Sequence, residues 1–282
     1  MDTVELILSI PALEHDRFIG LLEDHANGFH QTDAELRAYV PVKQWSDAHR
    51  ERIAARLRAD GYGNGLTVRH LSARNWNEAW ETSLAPVRVG PFLLCSHSAK
   101  IPTEHADATP LRIDPRMSFG TGHHATTRLA LRFLVETVTA GDRMVDVGTG
   151  TGVLAIAGCL LGAESVIAVD NKLKVVENAR ENVGQNDVGM CVTVREGSID
   201  TVPSEPADVV AANITRDTLL DLLPALRARL ADDGSLILSG LLSGDRTQML
   251  DALHDQNFVI DEEASEDGWW AVRSQPCPSE AR

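Results

Sequence analysis

Residues 144–152 read Met-Val-Asp-Val-Gly-Thr-Gly-Thr-Gly, an apolar strand that runs into a glycine-rich turn, and the helix-forming stretch Val153–Leu161 follows at once. Glycines at such a junction turn the chain sharply and leave no Cβ between the backbone and a ligand. A dinucleotide-binding loop has a third small residue at the position held here by Val153, for close helix–strand packing beside a pyrophosphate. In this chain the third glycine is Gly152, and the branched Val153 comes after it. A loop spaced in this way suits a ligand that passes it without a pyrophosphate.

Outward from the loop, strand and helix patterns alternate. Strands are expected at Met144–Val147, Ser165–Val169, Val192–Arg195, Asp208–Ala212 and Ser235–Ser239, and helices at Val153–Leu161, Leu173–Gly184, Thr218–Ala231 and Arg246–Asp255. Single helices between strands make an α/β fold with a doubly wound, mostly parallel sheet. The last two strands, Phe258–Glu262 and Trp269–Arg273, are joined only by Glu263–Gly268, too short for a parallel crossover, so they form an antiparallel hairpin at one sheet edge. Trp269 and Trp270 alternate across that hairpin, one ring toward the core and the other toward a pocket mouth.

Ligands of such sheets sit at the carboxyl ends of the strands. Asp170 ends the second strand, where a carboxylate can accept both hydroxyl protons of a ribose; its plainer role is to cap the next helix. S-adenosylmethionine and NAD both carry that ribose, so the loop spacing alone favours S-adenosylmethionine. Asp146, just before the loop, is suited either to hold the amino-acid end of that donor or to brace the turn. The turn Glu196–Asp200 should border the adenine, with Ser198 a polar contact and Ile199 an apolar wall. Asn213 follows the fourth strand, where its side-chain oxygen can accept from a substrate amine or cap the next helix.

The first seventy or so residues follow another pattern. Val4–Ile10, Leu13–His25, two short strands within Gly28–Val42, Asp47–Ala59 and Leu66–Leu71 give β-α-β-β-α-β, the order of a small ferredoxin-like unit. Residues 73–110 look like a connector, with a short helix over Asn75–Thr82 and prolines at 86, 91, 102 and 110.

Composition narrows the classes. The 282 residues carry 26 Lys+Arg against 41 Asp+Glu, a net charge of −15, with 43% hydrophobic and 24% charged residues. That is a folded-protein composition and not a disordered one. No apolar run approaches the ~18 residues of a membrane span, and Met1–Glu5 lacks the basic start of a secretory signal. Cys95, Cys159, Cys191 and Cys277 form no close pair, so no metal site is expected, and free thiols fit the cytoplasm. The charge argues against a surface that tracks nucleic-acid phosphates; it fits a basic partner or a high-salt cytoplasm equally.

The least ordinary stretch is Arg112–Thr127, with Gly120, Gly122, His123 and His124 close together and Thr126-Thr127 at the start of a helical pattern. It lacks the Gly-Lys-Ser/Thr of a P-loop. A helix cap behind a flexible loop accounts for it, and so does a lid that touches the donor.

Several motifs together resemble the bacterial PrmA family, the methyltransferases of large-subunit ribosomal protein L11. They are FGTGHHATT at Phe119–Thr127, VDVGTGTGVLAIA at Val145–Ala157, the Asp170 strand end, Ala212-Asn213-Ile214 and Ser239-Gly240-Leu241, in order and spacing across roughly residues 75–273. The connector's Phe92–Ala99 departs from the family pattern. The resemblance implies a class I methyltransferase domain over 111–282, with a seven-stranded sheet, behind a substrate-recognition domain over 1–72. It implies S-adenosyl-L-methionine as cofactor and methylation of lysine and N-terminal α-amines of protein L11. By family position Thr127, Gly148, Asp170 and Asn213 contact the donor, and Gly150 and Ser198 join them from the reading above. The expected partner is this basic ribosomal protein, with neither nucleic acid nor membrane bound directly and the enzyme a monomer.

A lysine with a pKa near 10.4 must lose its proton to attack, which a desolvated pocket beside a sulfonium favours. His123, His124 or bulk water can take the proton. Rival readings are a methyltransferase of another amine, an NAD-dependent dehydrogenase and a non-catalytic binding module.

Overall fold

The computed structural model describes residues 3–22, 25–26, 28–32, 34–63, 65–71, 85–114 and 118–277. The short helix expected over Asn75–Thr82 lies outside them. The chain divides into two compact units, Met1–Trp80 and Glu81–Arg282.

In the first unit, β1 (Thr3–Leu8), α1 (His15–Leu22), β2 (Gly28–Gln31), β3 (Leu36–Pro41), α2 (Asp47–Ala59) and β4 (Leu66–Leu71) follow the expected order. The sheet order is β2-β3-β1-β4 with every pair antiparallel, the ferredoxin-like arrangement. Strand alternation sends Val4, Leu6 and Leu8 of β1 to one face opposite Val40, Ala38 and Leu36 of β3. Phe18 and Leu22 of α1 and Ile53 and Leu57 of α2 close that core. The expected start of α1 at Leu13 is replaced by a 3-10 turn over Ala12–Glu14, after Pro11.

The second unit opens with a difference from the sequence reading. Residues expected to be a connector form a three-stranded sheet of β5 (Val87–Val89), β6 (Phe92–Cys95) and β7 (Thr109–Arg112). The prolines do not prevent it: Pro91 sits in the β5–β6 turn and Pro110 in an edge strand, where a missing N–H is tolerated. Val89, Phe92, Leu94 and Leu111 bury themselves in the same core as the large sheet.

There follow α3 (Ala125–Thr137), β8 (Arg143–Val147), α4 (Val153–Leu161), β9 (Ser165–Asp170), α5 (Leu173–Gln185), β10 (Val192–Glu196), β11 (Ala207–Asn213), α6 (Arg216–Arg229), β12 (Leu230–Leu242), α7 (Arg246–Asp255), β13 (Phe258–Glu266) and β14 (Trp269–Pro276). The seven-stranded order is β10-β9-β8-β11-β12-β14-β13, parallel except for β14. Alternation along β8 divides the core: Met144 packs with Leu129, Phe133 and Ile156 on one face, Val145 and Val147 with Leu219, Leu223 and Met249 on the other. The same alternation along β14 buries Trp270 on the second face and turns Trp269 to the first, where it is only partly covered. Strand order reverses at β8, between β9 and β11, which puts the ligand crevice at its carboxyl end.

Candidate active site

A cavity of about 580 Å³ opens at that crevice, within the usual size range for a small-molecule site. Its floor is the turn after β8. Gly148, Gly150 and Gly152 have φ of 72°, 57° and 85°, the left-handed region that glycine enters freely. The Gly148 and Thr149 amides donate to Val169 O at 2.9 and 3.0 Å, fastening the turn to β9. Asp170 completes the attachment, accepting from Gly150 N at 3.2 Å and from Lys172 N at 3.1 Å. Its half-buried carboxylate therefore borders the cavity with lone pairs left for a ligand.

Asp146 braces the turn from below. It is fully buried, accepts from Thr149 Oγ1 at 2.6 Å, and does not line the cavity. Burial pushes its carboxyl up to about 7; the Thr149 hydroxyl and the nearby Ala155 amide pull it down, and the Asp170 charge raises it. Asp146 Oδ1 has no hydrogen-bond partner among the described residues. A raised carboxylate pKa means that the fold holds a proton that the unfolded chain releases. Asp146 thus favours the fold fully below about pH 4, and that contribution falls as pH rises to about 7, by roughly 4 kcal/mol in all. Asp146→Asn removes the titration, so denaturant unfolding at pH 5 and pH 8 should show the stability gap shrink by a few kcal/mol. An unchanged gap would show that Asp146 is ionised throughout.

The second glycine segment forms a wall over the first. Thr151 N donates to Phe119 O at 2.9 Å and Thr151 Oγ1 to Gly120 O at 2.9 Å. A Cβ on Gly150 would stand 2.4 Å from Phe119 O, so the close approach of the two segments requires glycine there. Asparagines of α5 and its C-cap hold the start of this wall: Asn178 and Asn182 donate to Asp114 O at 2.9 and 3.3 Å, and the C-cap Asn186 exchanges two hydrogen bonds with the Arg112 backbone at 2.7 and 2.9 Å. Their four-residue spacing puts them on one helix face. That spacing is visible in Glu177–Asn186, but nothing in it names the strand it binds.

Gly148, Gly150, Asp170, Ser198 and Asn213 line the cavity. Ile199 does not; it is buried in the core beneath. Thr127 does not either: it is fully buried and its hydroxyl has no partner among the described residues, whereas Thr126 reaches the cavity. Because α3 begins at Ala125, residues one apart point about 100° from each other. His123 is exposed, its Nε2 3.0 Å from Ala85 O and its Nδ1 3.3 Å from Thr121 Oγ1. The histidine at the cavity is His124, which caps α3 by accepting from Thr126 N at Nδ1, 3.4 Å, and whose Nδ1 also lies 2.8 Å from Thr126 Oγ1. Its ring meets Phe119 and Trp269 edge-on, with centroids 5.0 and 4.6 Å away. Burial, and then the Arg128 charge, lower its pKa, so the ring is neutral at pH 7.

Asn213 ends β11 beside the turn, and Ile214 packs so tightly on Gly148 that a Cβ there would lie 2.3 Å from it. Asn213 Oδ1 is buried and accepts no hydrogen bond from the described residues.

These features fit one ligand class. A carboxylate at the tip of β9 suits a ribose, the cavity over the turn has room for an adenosyl group, and Asn213 lines that cavity. Antiparallel β14, inserted between β12 and β13, separates the sheet from the all-parallel dinucleotide fold. The fold and site are those of a class I methyltransferase whose methyl donor is S-adenosylmethionine.

The comparisons agree with this class and narrow it. The family model described as ribosomal protein L11 methyltransferase (PrmA) matches residues 12–276. A ribosomal protein L11 methyltransferase of Symbiobacterium thermophilum is 38% identical over 245 residues, covering 83% of this chain and 80% of its own. That of Chlorobaculum parvum is 35% identical over 97% of this chain and 96% of its own. The crystal structure of a ribosomal protein L11 methylase from Lactobacillus delbrueckii subsp. bulgaricus superposes with a TM-score of 0.64 at 28% identity, covering 69% of this chain and all of that one. The chain belongs to the ribosomal protein L11 methyltransferase (PrmA) family.

Proposed function

We propose that this enzyme methylates lysine side-chain amines, and an N-terminal α-amine, of ribosomal protein L11 in the cytoplasm. Residues 1–72 select the protein and residues 111–282 carry the transfer. The observation that carries the amine reading is Asn213, which lines the cavity and whose buried Oδ1 has no hydrogen-bond partner among the described residues. A buried carbonyl without a donor costs about 1–3 kcal/mol, which a substrate N–H would recover. The protein partner rests on the names of the relatives.

S-adenosylmethionine supplies the methyl group and its own leaving group. The chain supplies placement, which can contribute about 7–11 kcal/mol when geometry is near attack. Asp170 would hold the donor's sugar, the glycine turn would lie beneath it, and Ser198 would border the base. Asn213 Oδ1 accepts one amine hydrogen and so aims the nitrogen lone pair. His124, kept neutral, adds no like charge beside a cationic donor and an amine that must shed its proton. His123 braces the loop, and water takes the proton.

Incubating the protein with purified L11 and isotope-labelled donor, followed by peptide mass spectrometry, tests this. Label on lysine or α-amino nitrogens is expected. Label on side chains of another kind, or none on L11 despite donor binding, would overturn the proposal.

A further inference from the structure

One guanidinium joins the two walls of the cavity mouth. Arg128, on the first turn of α3, donates from Nη1 to Gly122 O at 3.3 Å and to His123 O, the last carbonyls of the loop that carries Phe119 and His124. Its Nε donates to Glu266 Oε1 at 2.6 Å and its Nη2 to Asp267 Oδ2 at 3.2 Å. Glu266 ends β13, and Asp267-Gly268 turn the chain directly into Trp269. Asp267 adopts φ 51° in that turn, a strained conformation for a side-chain-bearing residue. Arg128 itself is mostly buried, so its bonds are less screened than those of the surface arginines. Only the planar five-donor fork of arginine can bridge two carbonyls on one side and two carboxylates on the other.

We propose that Arg128 is a positioning residue of the methyl transfer. It fixes the His124 and Phe119 wall against the Trp269 wall, and so sets the width of the mouth through which the amine enters. It touches neither donor nor amine. Loss of the clasp lets each wall move separately while the donor's own contacts at Gly150 and Asp170 stay intact.

The test compares Arg128→Ala, the hairpin-side double variant Glu266→Ala/Asp267→Ala, their combination, and Arg132→Ala. Arg132 pairs α3 with β13 one helical turn further on, through Glu262 at 3.0 Å, without touching the loop. Hydrogen–deuterium exchange should rise together in segments 119–124 and 267–270 for Arg128→Ala and for the hairpin variant, and in neither for Arg132→Ala. With L11 as substrate, both clasp variants should lose about ten- to a hundredfold in kcat with donor Kd changed less than about threefold. The combination should be no worse than Arg128→Ala alone. Arg128→Lys, which keeps the charge but not the fork, should fall between. Exchange rising in one segment only or in neither, additive losses, or an equal kcat loss in Arg132→Ala would overturn the proposal. The kinetic readout rests on L11 being the substrate and the exchange readout does not. An inactive wild type would therefore count against the substrate alone, leaving exchange to decide the clasp.

Discussion

Asp170→Ala should abolish measurable donor binding, raising the calorimetric Kd of S-adenosylmethionine by at least about a hundredfold. The carboxylate works in two directions. Toward the protein it accepts the Gly150 and Lys172 amides and ties the glycine turn to β9. Toward the cavity it is an acidic lining group, the proposed partner of the ribose hydroxyls. A hydrogen bond to a charged group contributes about 1.5–3 kcal/mol, and two of them correspond to a hundredfold or more in affinity. Asp170→Asn separates the two functions: its amide oxygen can still receive Gly150 N–H while the charge is gone, so intermediate affinity is expected. Unchanged affinity in the alanine variant would place the ribose elsewhere.

Asn213→Ala should leave the donor Kd within about threefold and lower kcat on L11 by about a hundred- to a thousandfold, the usual loss when one reaction-aligning hydrogen-bonding group is removed. The same substitution should not lower the melting temperature of the free protein. It deletes a buried acceptor that has no partner among the described residues, so no hydrogen bond made by Oδ1 to them is lost. Catalytic loss with retained stability marks a group that waits for substrate. If the variant instead unfolds early with kcat intact, Asn213 is a helix cap and no more.

The turn after β8 was legible because its chemistry is local. Backbone turning and ligand approach demand glycine within a few residues, and a strand must precede and a helix follow. Asp170 was legible for the same reason, lying one β-α unit downstream at a strand tip. What escaped depends on which distant segments meet. Residues 87–112 carry prolines and short apolar runs that look like linker, and only their burial with α3 and α4 makes them a sheet. That Thr126 and not the expected Thr127 meets the cavity turns on where α3 begins, since one residue of helical phase exchanges cavity for core, and His124 rather than His123 lines the cavity as the cap of that helix. The asparagine face of α5 and the Arg128 fork are visible as residue types, yet their partners lie 64–74 and 138–139 residues away in sequence. No periodicity encodes such distances.

A crystal structure grown with S-adenosylhomocysteine, the demethylated donor, gives the most direct check. The ribose hydroxyls should lie within hydrogen-bonding distance of Asp170, the adenine beside Ser198, and the thioether sulfur should point toward Asn213. An empty crevice at the end of β8, or a ligand whose sugar lies away from Asp170, would contradict the assignment of this cavity as the methyl-donor site.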